Sequence, residues 1–196
     1  VGSDDDAAEA DMLDCGFKHF FQGVSMHTPL VSAVAVPEHS LVRSAFKTTH
    51  LADAFATPLP AHFNGSAEDL ARLILSSPAP WFHGLMRARD RIMSVFGVKT
   101  SAQLRDASVA QGFEHIDFFR ILARTPDEII LGEQDSHLDF QLSVLIRSQA
   151  SGLGREVVVS TVVHCHNAVG RAYIAVISPI HKRVVRSFLL GAAKVL

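Results

Sequence analysis

Residues 137–147 alternate, with Leu145 the one apolar residue on the polar side. Leu138, Phe140, Leu142, Val144 and Ile146 fall on one side, and His137, Asp139, Gln141, Ser143 and Arg147 on the other. This is the period of a half-buried β-strand. The turn Ser151-Gly152-Leu153-Gly154 follows, and residues 155–166 then read as a second long strand, β-branched through Val157, Val158, Val159, Thr161, Val162 and Val163. So short a connection forces antiparallel pairing, because parallel strands need a crossover of roughly a dozen residues. Upstream, residues 117–124 and 128–132 read as two further strands, with turns at Pro126-Asp127 and at Gln134-Asp135-Ser136. A four-stranded meander with one apolar face needs a cover.

The cover is the C-terminal segment, residues 169–194. On a helical wheel Tyr173, Ile174, Val176, Ile177, Ile180, Val184, Val185 and Phe188 share a broad face, while Arg171, Ser178, Lys182, Arg183 and Arg186 lie opposite. Asn167 can cap the start. Pro179 interrupts the pattern, at a cost of ~3 kcal/mol or more in an ideal helix. The apolar face runs through Pro179, which favours a kinked helix. The alternative is a strand over residues 171–177, with a helix starting at the proline.

The remainder is read from caps and breakers. Residues 50–57 form a strand closed by Pro58-Leu59-Pro60. Ser66-Ala67-Glu68-Asp69 is a capping pattern for a short helix through Leu75. A second helix over residues 80–96 presents Trp81, Leu85, Ala88, Ile92 and Val95, and stops at Gly97. Residues 99–112 turn polar and read as a loop. Residues 15–47 have no clean period and read as an N-terminal arm, and the Asp- and Ala-rich residues 1–14 as a disordered tail. Residues 48–196 make one α+β domain.

Composition narrows the partners. Hydrophobic residues are 48% of the chain, enough for a sizeable core. With 18 basic and 20 acidic residues the net charge is -2, which gives no footprint for nucleic acid. No run is apolar enough for a membrane span. Two cysteines, Cys15 and Cys165, cannot make a disulfide framework and fit a reducing cytoplasm. There is no phosphate loop, no GxSxG, no HExxH and no dinucleotide fingerprint, so no cofactor is implied. A homodimer stays open.

Several local motifs act in combination. Residues 131–140, LGEQDSHLDF, resemble the LGxxDxHLDF signature of a bacterial family named only as a domain of unknown function. Trp81 with its Arg-rich helix, Thr161-Val162-Val163, residues 167–173 and Pro179-Ile180-His181 match further pieces, over residues 51–190 in all. Ile180 stands where that family often has Phe. The family looks like a member of the START and birch-pollen-allergen-like superfamily. The resemblance implies a helix-grip fold, in which a curved antiparallel sheet wraps a long C-terminal helix around an apolar cavity. Members bind lipids, sterols or polyketides, and some are cyclases or dehydratases.

Candidate site residues follow. His137 and Asp139 share a strand face on alternation, close to Glu133, so a base and its orienting carboxylate are one reading and a solvated strand edge is the other. His181 sits at the edge of the helix's apolar face, where it could reach a cavity or bond a backbone carbonyl as a core histidine. Trp81, Phe140, Val144, Tyr173, Ile177 and Val184 are expected to line an apolar site. His164 and His166 share a face and are weak metal candidates, with no third ligand set by spacing. Cys165 points the other way and reads as a small buried residue. Three functions remain: a module binding a small hydrophobic molecule, a cyclase, dehydratase or hydrolase using His137, Asp139 and His181, and an accessory domain with a filled cavity.

Overall fold

In the computed structural model, residues 31–95, 113–117, 119–149, 152 and 154–196 are described. The expected tail at residues 1–14 and the polar stretch at 99–112 lie outside them. The chain is α+β, with one seven-stranded antiparallel sheet and a C-terminal helix. The strands are β1 (Ser32–Val34), β2 (Leu51–Pro58), β3 (His115–Ile116), β4 (Phe119–Arg124), β5 (Glu128–Gln134), β6 (Leu138–Ser148) and β7 (Arg155–Cys165). The helices are α1 (Ala67–Leu75), α2 (Phe82–Val95) and α3 (Ala168–Ala192), with a short 3-10 turn at Leu41–Ser44. Sheet order is β1-β2-β7-β6-β5-β4-β3. The chain therefore leaves β2 near one edge, crosses by α1 and α2 to the far edge, and meanders back until β7 pairs with β2.

The alternation read from the sequence fixes the faces. Leu142, Val144 and Ile146 of β6 join Val157 and Val159 of β7, Ile129 and Leu131 of β5, and Phe55 of β2 in the main core, together with α1 and α3. Leu189 of α3 and Leu70 of α1 are fully buried there, each burial stabilising by about 1.5–3 kcal/mol. Two flanking strands went unread because β1 has three residues and β3 two.

The helix α1 starts as its cap dictates. Ser66 Oγ accepts from the Asp69 backbone N–H at 3.1 Å, and Asp69 returns a carboxyl oxygen to the Ser66 N–H at 2.9 Å. Replacing Ser66 with Ala removes that acceptor. The expected loss is about 1 kcal/mol, read as a lower urea midpoint with an unchanged slope.

The opposite face of the sheet is covered by the N-terminal segment. Val34 and Val36 pack on Ala54, Ala56 and Val158, and Val42 and Phe46 on Ile130 and Val162. A buried polar clasp pins this segment. Glu128 Oε1 accepts from the Ser40 and Ser143 hydroxyls, each at 2.5 Å, and Oε2 from the Leu41 N–H at 3.1 Å.

The C-terminal segment is a single helix that runs through Pro179. The alternative strand over residues 171–177 does not form. Asn167 Oδ1 accepts from the Gly170 N–H at 3.0 Å and starts the helix there, and later apolar residues keep their side. The broad face expected was too broad by one residue: Val176 is 70% exposed. Its position is about 200° round the wheel from Ile174, so it points away from the sheet.

Candidate functional site

Between α2, α3 and the inner face of the sheet lies a cavity of about 270 Å³. Five strands supply its floor, with Leu51 from β2, Phe119 from β4, Glu133 from β5, Leu138, Phe140, Leu142 and Val144 from β6, and Val159, Thr161 and Val163 from β7. The roof comes from Phe82, Leu85, Met86 and Arg89 of α2 and from Tyr173, Ile177, Ile180, His181 and Val184 of α3. The lining is mostly apolar because β6 and β7 alternate and α3 is amphipathic. Small-molecule sites run from ~300 to ~1,000 Å³, so this one sits at the lower edge. An apolar cavity of ~150 Å³ holds a benzene, so the space here has the volume of a small molecule.

The expected lining residues Phe140, Val144, Tyr173, Ile177 and Val184 all border the cavity, as do His137 and His181. Trp81 does not: it precedes α2 and is 47% exposed. The residues of α2 toward the cavity are Phe82, Leu85, Met86 and Arg89, of which only Leu85 belongs to the face read from the sequence. Phe82 also sets its ring edge-on to Phe188 at 4.8 Å.

The expected shared face of His137 and Asp139 is not formed. β6 begins at Leu138, and His137 lies in the turn before it, where strand parity does not apply. Its Nδ1 accepts from the Asn167 amide at 2.9 Å, which leaves the ring proton on Nε2. Asp139 keeps the outward parity and pairs with His166 at 3.0 Å on the other face. His164 Nδ1 lies 2.6 Å from the Thr48 carbonyl, so that ring is committed to the N-terminal segment. Among the described residues there is no cluster of three or more His, Cys, Asp or Glu able to hold a metal ion. Cys165 is buried and unpaired in any disulfide. Burial pushes its thiol pKa up, against the opposing charge of Arg171, which suits an inert thiol.

One group was missed. Asp53 follows the inward parity of β2, between Leu51 and Phe55, and its side chain is 9% exposed. His181 Nε2 stands 3.5 Å from Asp53 Oδ1. Thr161 is the register partner of Asp53 on β7. Both carboxyl oxygens of Asp53, His181 Nε2 and Thr161 Oγ1 are buried without a hydrogen-bond partner. Each such atom costs about 1–3 kcal/mol. An acidic residue at an inward strand position was the available signal. Glu133 Oε2, in the lining, is also buried without a partner. The cavity's guanidinium is occupied: Arg89 bonds Asp90 at 2.7 Å. Burial works against its charge, but Tyr173 and Asp90 outweigh that and hold its pKa above the ordinary value.

A family profile described as "Protein of unknown function (DUF2867)" matches residues 45–188, well over half of the chain. The chain belongs to the DUF2867 family. The DUF2867 match spans β2 through most of α3, and so takes in every residue of the cavity. No curated protein and no solved structure matches the chain. Among the described residues, no helix is long and apolar enough to cross a membrane.

Proposed function

We propose that this DUF2867 chain binds a small hydrophobic molecule between the sheet and α3, in the manner of a helix-grip protein. The observation that carries the reading is the apolar cavity of about 270 Å³ roofed by α2 and α3. The topology supports it too: the chain crosses from one sheet edge to the other and meanders back, and α3 then lies across the face. The rival acid–base reading changes its carboxylate: Asp139 turns to His166, and the carboxylate beside His181 is Asp53 at 3.5 Å. The second reading is an accessory domain whose own side chains nearly fill the space, and the observation that favours it is the volume, which is just under the ~300 Å³ of small-molecule sites.

The test is a cavity-filling variant. Ile177→Trp places an indole in the site from the lining of α3. Displacement of a bound naphthalene dye by medium-chain apolar compounds is expected for the natural chain. In the variant, affinity should fall at least ~10-fold, which is about 1.4 kcal/mol, with the melting temperature held or raised. Unchanged dye binding in a folded variant would move the site elsewhere.

A further inference from the structure

We infer that His181 and Thr161, backed by the buried Asp53 carboxylate behind them, form the polar end of the cavity, and that it takes a ligand whose polar group donates a hydrogen bond: an apolar alcohol or amine, not a carboxylate. This rests on the binding reading above and adds the head group to it.

The argument is one of unmet hydrogen bonds. Asp53 is nine-tenths buried, yet neither of its carboxyl oxygens has a partner. A carboxylate only accepts, so what is missing is a donor. His181 borders the cavity and brings Nε2 to 3.5 Å from Oδ1, just beyond a good hydrogen bond. Thr161 borders the cavity directly and, as the register partner of Asp53, points its hydroxyl from the same face. With the His181 Nε2–H turned to Asp53, its other ring nitrogen is an acceptor, and a ligand hydroxyl would complete the chain. Glu133 Oε2 repeats the pattern in the lining, as another acceptor lacking a donor. The cationic group that would draw a carboxylate, Arg89, is held by Asp90 and Tyr173. With the His181 Nε2–H given to Asp53, the lining presents the other His181 nitrogen, the Thr161 hydroxyl oxygen and Glu133 Oε2 to a donor head, while its guanidinium is already held.

Matched eight-carbon probes test this by isothermal titration of the full chain: 1-octanol, octylamine, octanoate and octane. Octanol or octylamine should bind at least ~10-fold more tightly than octanoate. Equal affinity for the two neutral-to-cationic heads would point to hydrogen bonding alone, and a preference for octylamine to an added ion pair. The preference over octanoate should collapse toward unity in Asp53→Asn, whose amide can donate. If that variant fails to fold, Thr161→Val keeps the shape and should lower octanol affinity several-fold while leaving octane unchanged. Octanoate binding as tightly as octanol would overturn the inference, as would a preference that survives in folded Asp53→Asn or Thr161→Val. Binding of all four without discrimination sinks the head-group inference but not the cavity. No binding by any of them sinks both.

Discussion

Glu128→Ala is expected to destabilise the chain by about 3–5 kcal/mol. Glu128 is 3% exposed and satisfies two hydroxyls and a backbone N–H. Hydrogen bonds to a charged group are each worth about 1.5–3 kcal/mol, so three would suggest more. Removing the side chain also removes the cost of burying it, which offsets part of the loss. The remainder is large because Ser40, Ser143 and the Leu41 N–H are left without the acceptor. The consequence is local as well as global. Past the edge strand β1, the segment at 35–47 is held on the outer face by this clasp and by a few apolar contacts. Amide exchange at Ile130 and Val162 beneath it should therefore accelerate more than exchange at Val144 and Val159 on the other face. Glu128→Gln retains one acceptor and should lose less, about 1–2 kcal/mol. Urea unfolding of the three proteins checks the order.

Gly170→Ala is expected to cost about 3 kcal/mol, at the upper end for an overpacked site. A Cβ at this position would lie 2.2 Å from the His137 carbonyl oxygen, a backbone atom in the turn before β6. That carbonyl also accepts from the His166 N–H at 2.9 Å, so it cannot swing aside freely. The N-terminal turns of α3 must move instead, and they carry Tyr173, Ile174 and Ile177 toward the cavity. Ligand affinity should fall together with stability. Gly84 supplies the control, because nothing lies within 4 Å of a Cβ added there and it sits exposed in the first turn of α2. Gly84→Ala should gain roughly 0.5–1 kcal/mol from helix propensity alone. The same chemical change thus carries opposite signs at two helix positions, and thermal melts of the pair read it directly.

What could be read from the sequence is what one-dimensional patterns encode. β6 and β7 declared themselves by alternation and β-branching, and their expected limits differ from the observed ones by one residue. The Ser66 cap placed the start of α1, and the amphipathic face carried α3 through Pro179. Each misreading has a local cause. Alternation was extended one residue too far at His137, where the Asn167 amide rather than the pleat sets the side chain. Trp81 was put on a helix that starts one residue later. The N-terminal segment had no period because its anchors are distant: Ser40 and Glu128 are separated by 88 positions. The site was half visible. Phe140, Val144, Tyr173, Ile177 and Val184 lie on faces that border the cavity, but Asp53 required knowing that β2 docks beside β7 and under His181.

The cavity itself can be probed without knowing the natural ligand. Methyl NMR spectra of the chain under increasing xenon pressure report which side chains border an apolar space large enough for an atom of gas. Saturable shifts are expected at Val144, Ile177 and Val184, which line the cavity, and not at Ile130, Val158 or Val162 on the covered outer face. Shifts that fail to saturate, or that fall equally on both faces, would contradict a binding space between α3 and the sheet.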